Sequence, residues 1–241
     1  MSFSKKLILA LDFSELKEAL QWVDRLLPFV KTFKVGKQLF TSSGPQIIRD
    51  IRQRGGQVFL DLKYHDIPNT IAGACHEASK LGVFILNVHA MGGLEMMQAA
   101  RQAIDKNTSK NKPLLIAVTV LTSFSEQNLK DVGIAIPLKE LVLHYAKLAQ
   151  KAGMDGVVCS VQEAQSIKKE CGENFLVITP GIRLEEGSLT QQKVLKEDQK
   201  RSSGIEAALH SGSDFLVLGR SLFEAKDPVG LLRQTIETYS S

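Results

Sequence analysis

Cysteine is scarce in this 241-residue sequence, which contains only three. Cys75, Cys159 and Cys171 form no Cys-x-x-Cys pair, and an odd number without paired spacing is typical of a reducing compartment, so we expect a cytoplasmic protein. The five histidines are also scattered, without a metal-ligand spacing such as His-Glu-x-x-His. The sequence therefore predicts no metal site.

Long apolar runs and blocks of charge are missing as well. No stretch approaches the roughly 18 to 20 apolar residues of a membrane span. Lys5 and Lys6 are followed closely by Asp12, which favours a strand over a signal peptide. No basic block or aromatic–basic array indicates nucleic acid. We therefore expect no membrane and no nucleic-acid partner, while the net charge of +4 fits a small anionic ligand.

What the sequence does contain is a repeated alternation of apolar strands and amphipathic helices, with 44% hydrophobic residues, ample for a large core. The pattern predicts eight strands, at Leu7 to Asp12, Phe33 to Gly36, Val58 to Leu62, Phe84 to His89, Leu114 to Val120, Gly156 to Ser160, Leu176 to Thr179 and Phe215 to Leu218. The predicted helices are Glu15 to Val30, Pro45 to Arg54, Pro68 to Leu81, Leu94 to Asp105, Leu138 to Ala152, Gln162 to about Glu170, Gly204 to His210 and Val229 to Tyr239.

Eight strand–helix units with nearly continuous apolar strands predict a parallel (β/α)8 TIM barrel, formed by residues 1–241 as a single domain. An open, doubly wound α/β sheet is the alternative, but no Gly-x-Gly-x-x-Gly follows the first strand. In a barrel the active site lies at the carboxyl ends of the strands. Polar residues stand at or near all eight ends, including Asp12, Lys34, Asp61, Asn87, Thr119, Ser160, Arg183 and Arg220.

The stretch from Val58 to Thr70 holds the densest charge, because a strand there leads into two acids and a lysine. Side chains alternate along a strand, so Asp61 and Lys63 are expected on one face. Pro68 suits the first turn of a helix, which predicts a strand–loop–helix junction. Charges at a strand end are costly to bury unless they neutralise one another. A structural ion pair is one interpretation, but the charges at other strand ends favour a functional cluster.

Two strand ends suggest that the ligand carries phosphate. Gly219 and Arg220 lie between the last strand and a short helical segment, where a glycine backbone and a guanidinium group can hold phosphate oxygens. From Arg183 to Ser203 the chain is polar, without a clear apolar period, and includes Gln192. A loop of this length is usually a lid or disordered. The arginine at its root favours a lid over the anion, and a flexible insertion is the alternative.

The run Asp61-x-Lys63-x-x-Asp66-Ile67-Pro68-Asn69-Thr70 resembles the signature of the orotidine 5′-phosphate decarboxylase family. The resemblance covers essentially the whole chain, with further matches in the family's order at Leu11-Asp12, Phe33-Lys34-Val35-Gly36, Leu121-Thr122-Ser123, Cys159-Ser160, Pro180-Gly181-Ile182-Arg183, Gln192 and Gly219-Arg220. It implies conversion of orotidine monophosphate to uridine monophosphate and carbon dioxide, the last step of de novo pyrimidine nucleotide synthesis, without a metal or organic cofactor.

The same resemblance implies a role for each matching residue. Lys63 would donate a proton to C6 of the pyrimidine, with Asp61 and Lys34 beside it, and Asp66 would come from the other subunit of a homodimer. The implied ribose contacts are Asp12, Lys34 and Thr70 of the partner subunit, with Asp61 and Ile67 also against the substrate. The base would meet Ser160 and the backbone near Thr122 and Pro180, and the phosphate would meet Arg183, Gln192, Gly219 and Arg220.

Two alternatives stay open at this point. Metal-dependent sugar-phosphate decarboxylases and aldolases on related barrels share the fold and Asp-x-Lys-x-x-Asp, but they carry an extra acid beside the first aspartate. Here Val58-Phe59-Leu60 supplies none, which counts against them. A non-catalytic nucleotide-binding module would explain Arg220 and a lid, but it gives no reason for Asp61, Lys63 and Asp66 to occur together.

Overall fold

The computed structural model describes residues 2–107, 112–184 and 203–240. Its strands are β1 Leu7–Leu11, β2 Thr32–Gly36, β3 Gln57–Tyr64, β4 Ile85–His89, β5 Leu114–Val118, β6 Gly156–Val158, β7 Leu176–Arg183, β8 Ser203–Gly204 and β9 Phe215–Leu218. All of them pair in parallel, in the order β6-β5-β4-β3-β2-β1-β9-β7, and β7 pairs back to β6. This ring of eight strands confirms the predicted TIM barrel, and the short β8 adds to the end of β7.

Apart from α1, which precedes β1, the helices follow the strands, and they cover the outside of the barrel. They are α1 Phe3–Lys6, α2 Leu16–Leu26, α3 Lys37–Ser43, α4 Gln46–Gln53, α5 Pro68–Lys80, α6 Gly93–Asp105, α7 Glu126–Asp131, α8 Leu138–Lys151, α9 Val161–Cys171, α10 Ile205–His210, α11 Arg220–Phe223 and α12 Pro228–Ser240, with a 3-10 turn at Ala90–Gly92. Within the described ranges, no helix combines the length and the apolar character needed to cross a membrane.

The barrel has two apolar layers, which explains why its strands read as nearly continuous apolar runs. One face of each strand packs against the surrounding helices, as Leu9 and Leu11 of β1 do. The other face fills the barrel interior. The interior residues are Ile8, Ala10, Phe59, Ile85, Ile116, Val118, Val158, Ile178, Phe215 and Val217. Polar side chains on the inner face near the carboxyl ends of the strands therefore lie on top of this apolar interior.

The sequence pattern placed several element ends incorrectly, for identifiable reasons. The helix predicted from Glu15 to Val30 ends at Leu26, because Pro28 has no backbone N–H with which to continue it. The strand predicted to stop at Thr179 continues to Arg183, after a register shift that accommodates the Pro-Gly pair. The short helices α1, α3 and α7 were not predicted, since four to seven residues are too few for a clear apolar period.

A buried lysine stabilises the opposite, amino-terminal end of the barrel. Lys168 of α9 is 6% exposed, and its Nζ lies 2.7 Å from Oδ2 of Asp214. The same ammonium group donates to the carbonyls of Glu173 at 2.8 Å and Phe175 at 3.1 Å. The Asp214 oxygen also accepts from the backbone N–H of Val177 at 2.7 Å. One charge pair therefore joins α9 to the segments that enter β7 and β9.

We expect Lys168→Met to lower the free energy of unfolding by about 2 to 4 kcal/mol, because two carbonyls lose their donor and a carboxylate loses its cation. Urea titration at pH 7 measures this loss. Lys147→Met is the matched control, since Lys147 pairs with Glu170 at 2.7 Å while its side chain is 52% exposed, and such surface pairs contribute little. A loss no larger than that of the control would contradict the assignment.

Candidate active site

Four charged side chains from three adjacent strands form a row at the carboxyl end of the barrel. Lys34 Nζ of β2 lies 2.9 Å from Oδ1 of Asp12, which follows β1, and 3.7 Å from Oδ2 of Asp61 on β3. Lys63 Nζ, also on β3, lies 2.6 Å from Oδ1 of Asp61. The signs alternate along this charged row, so each group has an opposite charge beside it.

Strand register explains why these side chains meet. Ala10, Lys34 and Phe59 lie side by side in adjacent strands, and Ala10 and Phe59 belong to the barrel interior. Asp12 and Asp61 come two residues later, so they lie on the same inner face one step closer to the barrel mouth. A Cβ atom at Gly36 would lie only 3.2 Å from Lys34 Nζ, so the glycine leaves room for the lysine to reach both carboxylates.

The electrostatics of the row favour the charged form of each buried member. Burial alone would raise the pKa of Asp61, but the ammonium groups of Lys34 and Lys63 outweigh it, and the pKa is lowered. Burial alone would lower the pKa of Lys34, but the carboxylates of Asp61 and Asp12 outweigh it, and the pKa is raised. Asp61 and Lys34 therefore hold opposite charges at neutral pH.

Asn87 of β4 completes the surroundings of Asp61. It is fully buried, and its Nδ2 donates to Oδ1 of Asp61 at 2.6 Å while its Oδ1 accepts from the backbone N–H of Lys63 at 2.8 Å. In the sequence, Asn87 stands out only as a polar residue at a strand end. The missed signal was its spacing of two from Ile85, which places an amide on the inner face of the barrel, where it needs hydrogen-bond partners.

Two histidines lie beside the row and were not predicted as site residues. The rings of His65 and His89 are 5.6 Å apart. Burial, followed by the positive charges of His65, Lys63 and Lys37, lowers the pKa of His89 to about 4. At neutral pH His89 therefore adds no third positive charge next to the lysines. In the described part of the chain, no group of three or more His, Cys, Asp or Glu side chains could hold a metal ion.

The residues after Lys63 lie on the rim of the barrel. Helix α5 begins at Pro68, as predicted. Asp66 is exposed, and its Oδ1 accepts from the backbone N–H of Ile67 at 2.6 Å. Ile67 is 66% exposed and Thr70 is also exposed. Among the described residues, no ion pair joins Asp66 to Lys63, so the fold of one chain does not bring Asp66 into the charged row.

The predicted phosphate residues stand at two neighbouring strand ends. Gly219 precedes α11 and lies beside the row, since a Cβ atom there would be 3.9 Å from Oδ2 of Asp12. Arg220 is the first residue of α11, Arg183 is the last of β7, and both are exposed. Gln192 lies outside the described residues. Gly219 is thus adjacent to the charged row on the side of β1.

The predicted base contacts are more enclosed. Ser160 is fully buried at the start of α9, where its hydroxyl donates to the carboxylate of Glu163 and its backbone N–H reaches the same oxygen at 2.9 Å. Thr122, four residues beyond β5, and Pro180, within β7, are half-buried. In this arrangement the Ser160 hydroxyl already has an acceptor, so contact with a base would require it to become accessible.

Comparison with known proteins agrees with this geometry. The family profile described as "Orotidine 5'-phosphate decarboxylase / HUMPS family" matches residues 5–235. The chain belongs to this family. Proteins named orotidine 5'-phosphate decarboxylase include one from Legionella pneumophila (strain Corby), 53% identical over 92% of this chain and 94% of its own length. Another, from Shewanella sediminis (strain HAW-EB3), is 48% identical over 95% of this chain and 94% of its own length.

Solved structures of similar proteins agree with the barrel. An orotidine 5'-phosphate decarboxylase from Lactobacillus acidophilus superposes with a TM-score of 0.84 at 33% identity, covering 98% of this chain and 99% of that one. An uncharacterized conserved protein from Geobacillus kaustophilus gives 0.79 at 37% identity over 98% and 100%. The part of the chain that matches the orotidine 5'-phosphate decarboxylase / HUMPS family includes every predicted site residue, from Asp12 to Arg220.

In this member of the orotidine 5'-phosphate decarboxylase / HUMPS family, we expect Asp61→Asn to lower the free energy of unfolding by about 2 to 4 kcal/mol at pH 7, because two lysines would then face each other. The pKa of Asp61 is lowered by folding, so its contribution is present above the unfolded-state pKa of about 3.9 and is lost as pH falls through the folded-state value.

Urea titrations at pH 7 and at about pH 3 test this expectation, and the difference between wild type and variant should shrink at the lower pH. Asp24→Asn is the control, since Asp24 forms an exposed pair with Arg54 at 2.9 Å. An equal loss at both pH values would show that the effect does not come from the charge of Asp61.

Proposed function

We propose that this protein decarboxylates orotidine 5′-monophosphate to uridine 5′-monophosphate and carbon dioxide, the last step of de novo pyrimidine nucleotide synthesis. Relatives about half identical over nearly the whole chain carry the matching enzyme name. The observation that carries the proposal is the charged row, in which Lys63 lies 2.6 Å from Asp61 and Asp61 lies 3.7 Å from Lys34. A purely structural ion pair would not need two lysines and two aspartates at the mouth of a barrel.

The reaction poses an electrostatic problem that this row can solve. The bond between C6 of the pyrimidine and its carboxylate breaks, carbon dioxide leaves, and the bonding electron pair stays on C6. No neighbouring group of the ring can delocalise that pair, so the carbanion must be stabilised by fixed charge and by rapid protonation. A positioned ammonium group supplies both, because its charge attracts the developing anion and its proton can be transferred.

In our proposal Lys63 transfers a proton from Nζ to C6, forming uridine monophosphate and a neutral amine that regains its proton from water. Asp61 holds this ammonium group in place at 2.6 Å. The carboxylate of Asp61 would also lie near the departing carboxylate, and their repulsion would be relieved as carbon dioxide leaves. Lys34 balances the charge of Asp61 on its other side.

The remaining substrate contacts follow from the order of the strand ends. Asp12 and Lys34, paired at 2.9 Å, are proposed to hold ribose hydroxyls. Gly219 lies beside Asp12, so a phosphate bound at Gly219 and Arg220 would be next to the ribose, as in a nucleotide. Arg183 and Gln192 are proposed to bind the same phosphate. Ser160, Thr122 and Pro180 are proposed to contact the base.

We also propose that the reaction needs neither a metal nor an organic cofactor. Asp12 and Asp61 each have a lysine as a charge partner, and carboxylates neutralised in this way are poor ligands for a divalent cation. A cytoplasmic location is part of the proposal, supported by three cysteines without paired spacing in the sequence.

Loss of orotidine monophosphate absorbance on adding the purified protein, in buffer containing EDTA, is the direct test. Lys63→Ala should lower the rate by at least about 10²- to 10⁴-fold, because the proton donor is removed. Thermal unfolding should stay close to wild type, since Lys34 remains as a charge partner of Asp61 and the Lys63 side chain is 26% exposed.

Lys80→Ala is the matched control, because Lys80 forms an exposed pair with Glu77 at 2.7 Å, and its rate should be unchanged. Activity that disappears with EDTA and returns with magnesium would favour a metal-dependent sibling enzyme. Tight nucleotide binding without any turnover would favour a binding module instead.

We further propose that the enzyme is a homodimer with shared active sites. Asp66 is exposed on the rim and does not pair with Lys63 of its own chain within the described residues. Next to it, Ile67 is 66% exposed, and on the neighbouring strand end Met91 is 50% exposed. Large apolar side chains at a functional rim favour burial against another protein surface. A second copy related by a twofold axis would cover them and could bring Asp66 to the partner's Lys63.

Mixing two inactive variants tests the shared site. Lys63→Ala and Asp66→Asn are prepared separately, then unfolded and refolded together so that subunits exchange. In a hybrid dimer one site contains both substitutions and the other contains neither. Random mixing makes about half of the dimers hybrids, each with one intact site, so roughly a quarter of wild-type activity should return.

Wild type taken through the same refolding gives the reference rate, and mass spectrometry counts hybrid dimers. If each site used both residues of one chain, every site in the mixture would keep one lesion. No recovery in the presence of confirmed hybrids would therefore exclude the shared site.

A further inference from the structure

Asn87 is a polar side chain at a buried position, where an amide destabilises the fold unless it is hydrogen-bonded. It is fully buried on β4, on the inner face above Ile85. A buried amide without partners would destabilise the fold by several kcal/mol. Its two polar atoms are both used, and both go to the catalytic strand β3 rather than to the neighbouring strand β5.

The two hydrogen bonds of Asn87 have opposite polarity. Its Oδ1 accepts from the backbone N–H of Lys63 at 2.8 Å, and its Nδ2 donates to the Asp61 carboxylate at 2.6 Å. A carboxylate cannot donate and a backbone N–H cannot accept, so only one orientation of the amide satisfies both partners. A side chain at this position must therefore offer one donor and one acceptor.

The backbone of Lys63 shows why it needs such a partner. Its φ is 52°, and among the described residues no other non-glycine residue has a positive φ. This conformation costs an L-residue roughly 1 to 2 kcal/mol. It coincides with a register shift in the β3–β4 ladder between Leu60 and Tyr64. At this register shift the backbone N–H of Lys63 donates to Oδ1 of Asn87.

We propose that Asn87 is a positioning residue for catalysis, which holds the strained backbone of Lys63 and the carboxylate of Asp61 in one fixed arrangement. The inference rests on the proposed function. Without Asn87, the strained backbone of Lys63 is free to relax, which would shift its ammonium group relative to Asp61. The amide adds a donor to Asp61 without adding a third positive charge beside Lys34 and Lys63.

Asn87→Ala removes both hydrogen bonds. We expect kcat to fall by about 10- to 100-fold, as for a misplacement of a catalytic group by about 1 Å. The KM for orotidine monophosphate and the affinity for uridine monophosphate should stay within about threefold, because Asn87 is fully buried and bonds only to β3. A loss confined to kcat marks an effect on the transition state. The rate is expressed per active site, counted by titration with a tight-binding nucleotide.

Asn87→Asp gives a signature that a packing role cannot produce. At neutral pH the introduced carboxylate keeps an acceptor for the Lys63 N–H but repels Asp61. Two carboxylates in one site force one of them to hold a proton, so the pKa of the introduced group should be raised. In the protonated form it offers a donor and an acceptor, as the amide does. The ratio of wild-type to variant kcat should therefore shrink as pH falls from 8 to 5.

The groups around Asp61 bear on this pH dependence. Lys34 faces it from β2, Lys63 from its own strand, and His89 from the end of β4. The pKa of His89 is lowered to about 4, so it stays neutral over this pH range. The pKa of Lys34 is raised, so it stays charged. His65, whose ring lies 5.6 Å from that of His89, is present in both enzymes, so its effect cancels in the ratio. Over pH 5 to 8 the change in ratio can then be assigned to the introduced carboxyl group.

Asn107→Ala is the matched control, because Asn107 donates to Ser79 Oγ at 2.7 Å at the far ends of α5 and α6. Its kcat per site should be unchanged, with only a loss of stability. If Asn87→Ala kept wild-type kcat per site, or if the Asn87→Asp ratio did not change with pH, the inference would be overturned. An inactive wild type would instead refute the proposed function, so the two failures are distinguishable.

Discussion

The neutralisation of Asp61 by two lysines is the interaction on which the rest of the site depends. Its carboxylate is only 11% exposed and lies between Lys63 at 2.6 Å and Lys34 at 3.7 Å. Two ammonium groups this close would repel each other strongly without an anion between them. The carboxylate therefore makes it possible to keep a charged lysine where little water can screen it, which is what electrostatic catalysis requires.

The barrel supplies the surroundings that give this row its effect. Apolar side chains such as Ala10 and Phe59 close the interior just below the charges, so field lines pass through a medium of low polarity. Asn87 adds a neutral donor, and the lowered pKa of His89 keeps a further positive charge away. The charged row thus lies on apolar side chains, has uncharged polar groups beside it, and faces the barrel mouth.

Stability and chemistry are concentrated at opposite ends of the same strands. At the amino ends, Lys168 with Asp214 ties helices to strand entrances through backbone groups of the neighbouring turns. At the carboxyl ends, charges face the barrel mouth and one residue, Lys63, holds an unfavourable backbone conformation. Strain of this kind persists only where the surrounding structure is firm. The well-packed amino-terminal end is consistent with that requirement.

The sequence by itself determined the barrel and the strand-end positions of the charged row. Both depend on the spacing of apolar and polar residues along the chain, which is local. The pattern placed Asp12, Lys34, Asp61 and Lys63 at strand ends, and the family resemblance implied that they are neighbours, as the structure has them. Only the tertiary structure revealed the left-handed backbone of Lys63 and the double hydrogen bond of Asn87. These features depend on strand register and on contacts between distant segments, which no local pattern in the chain encodes.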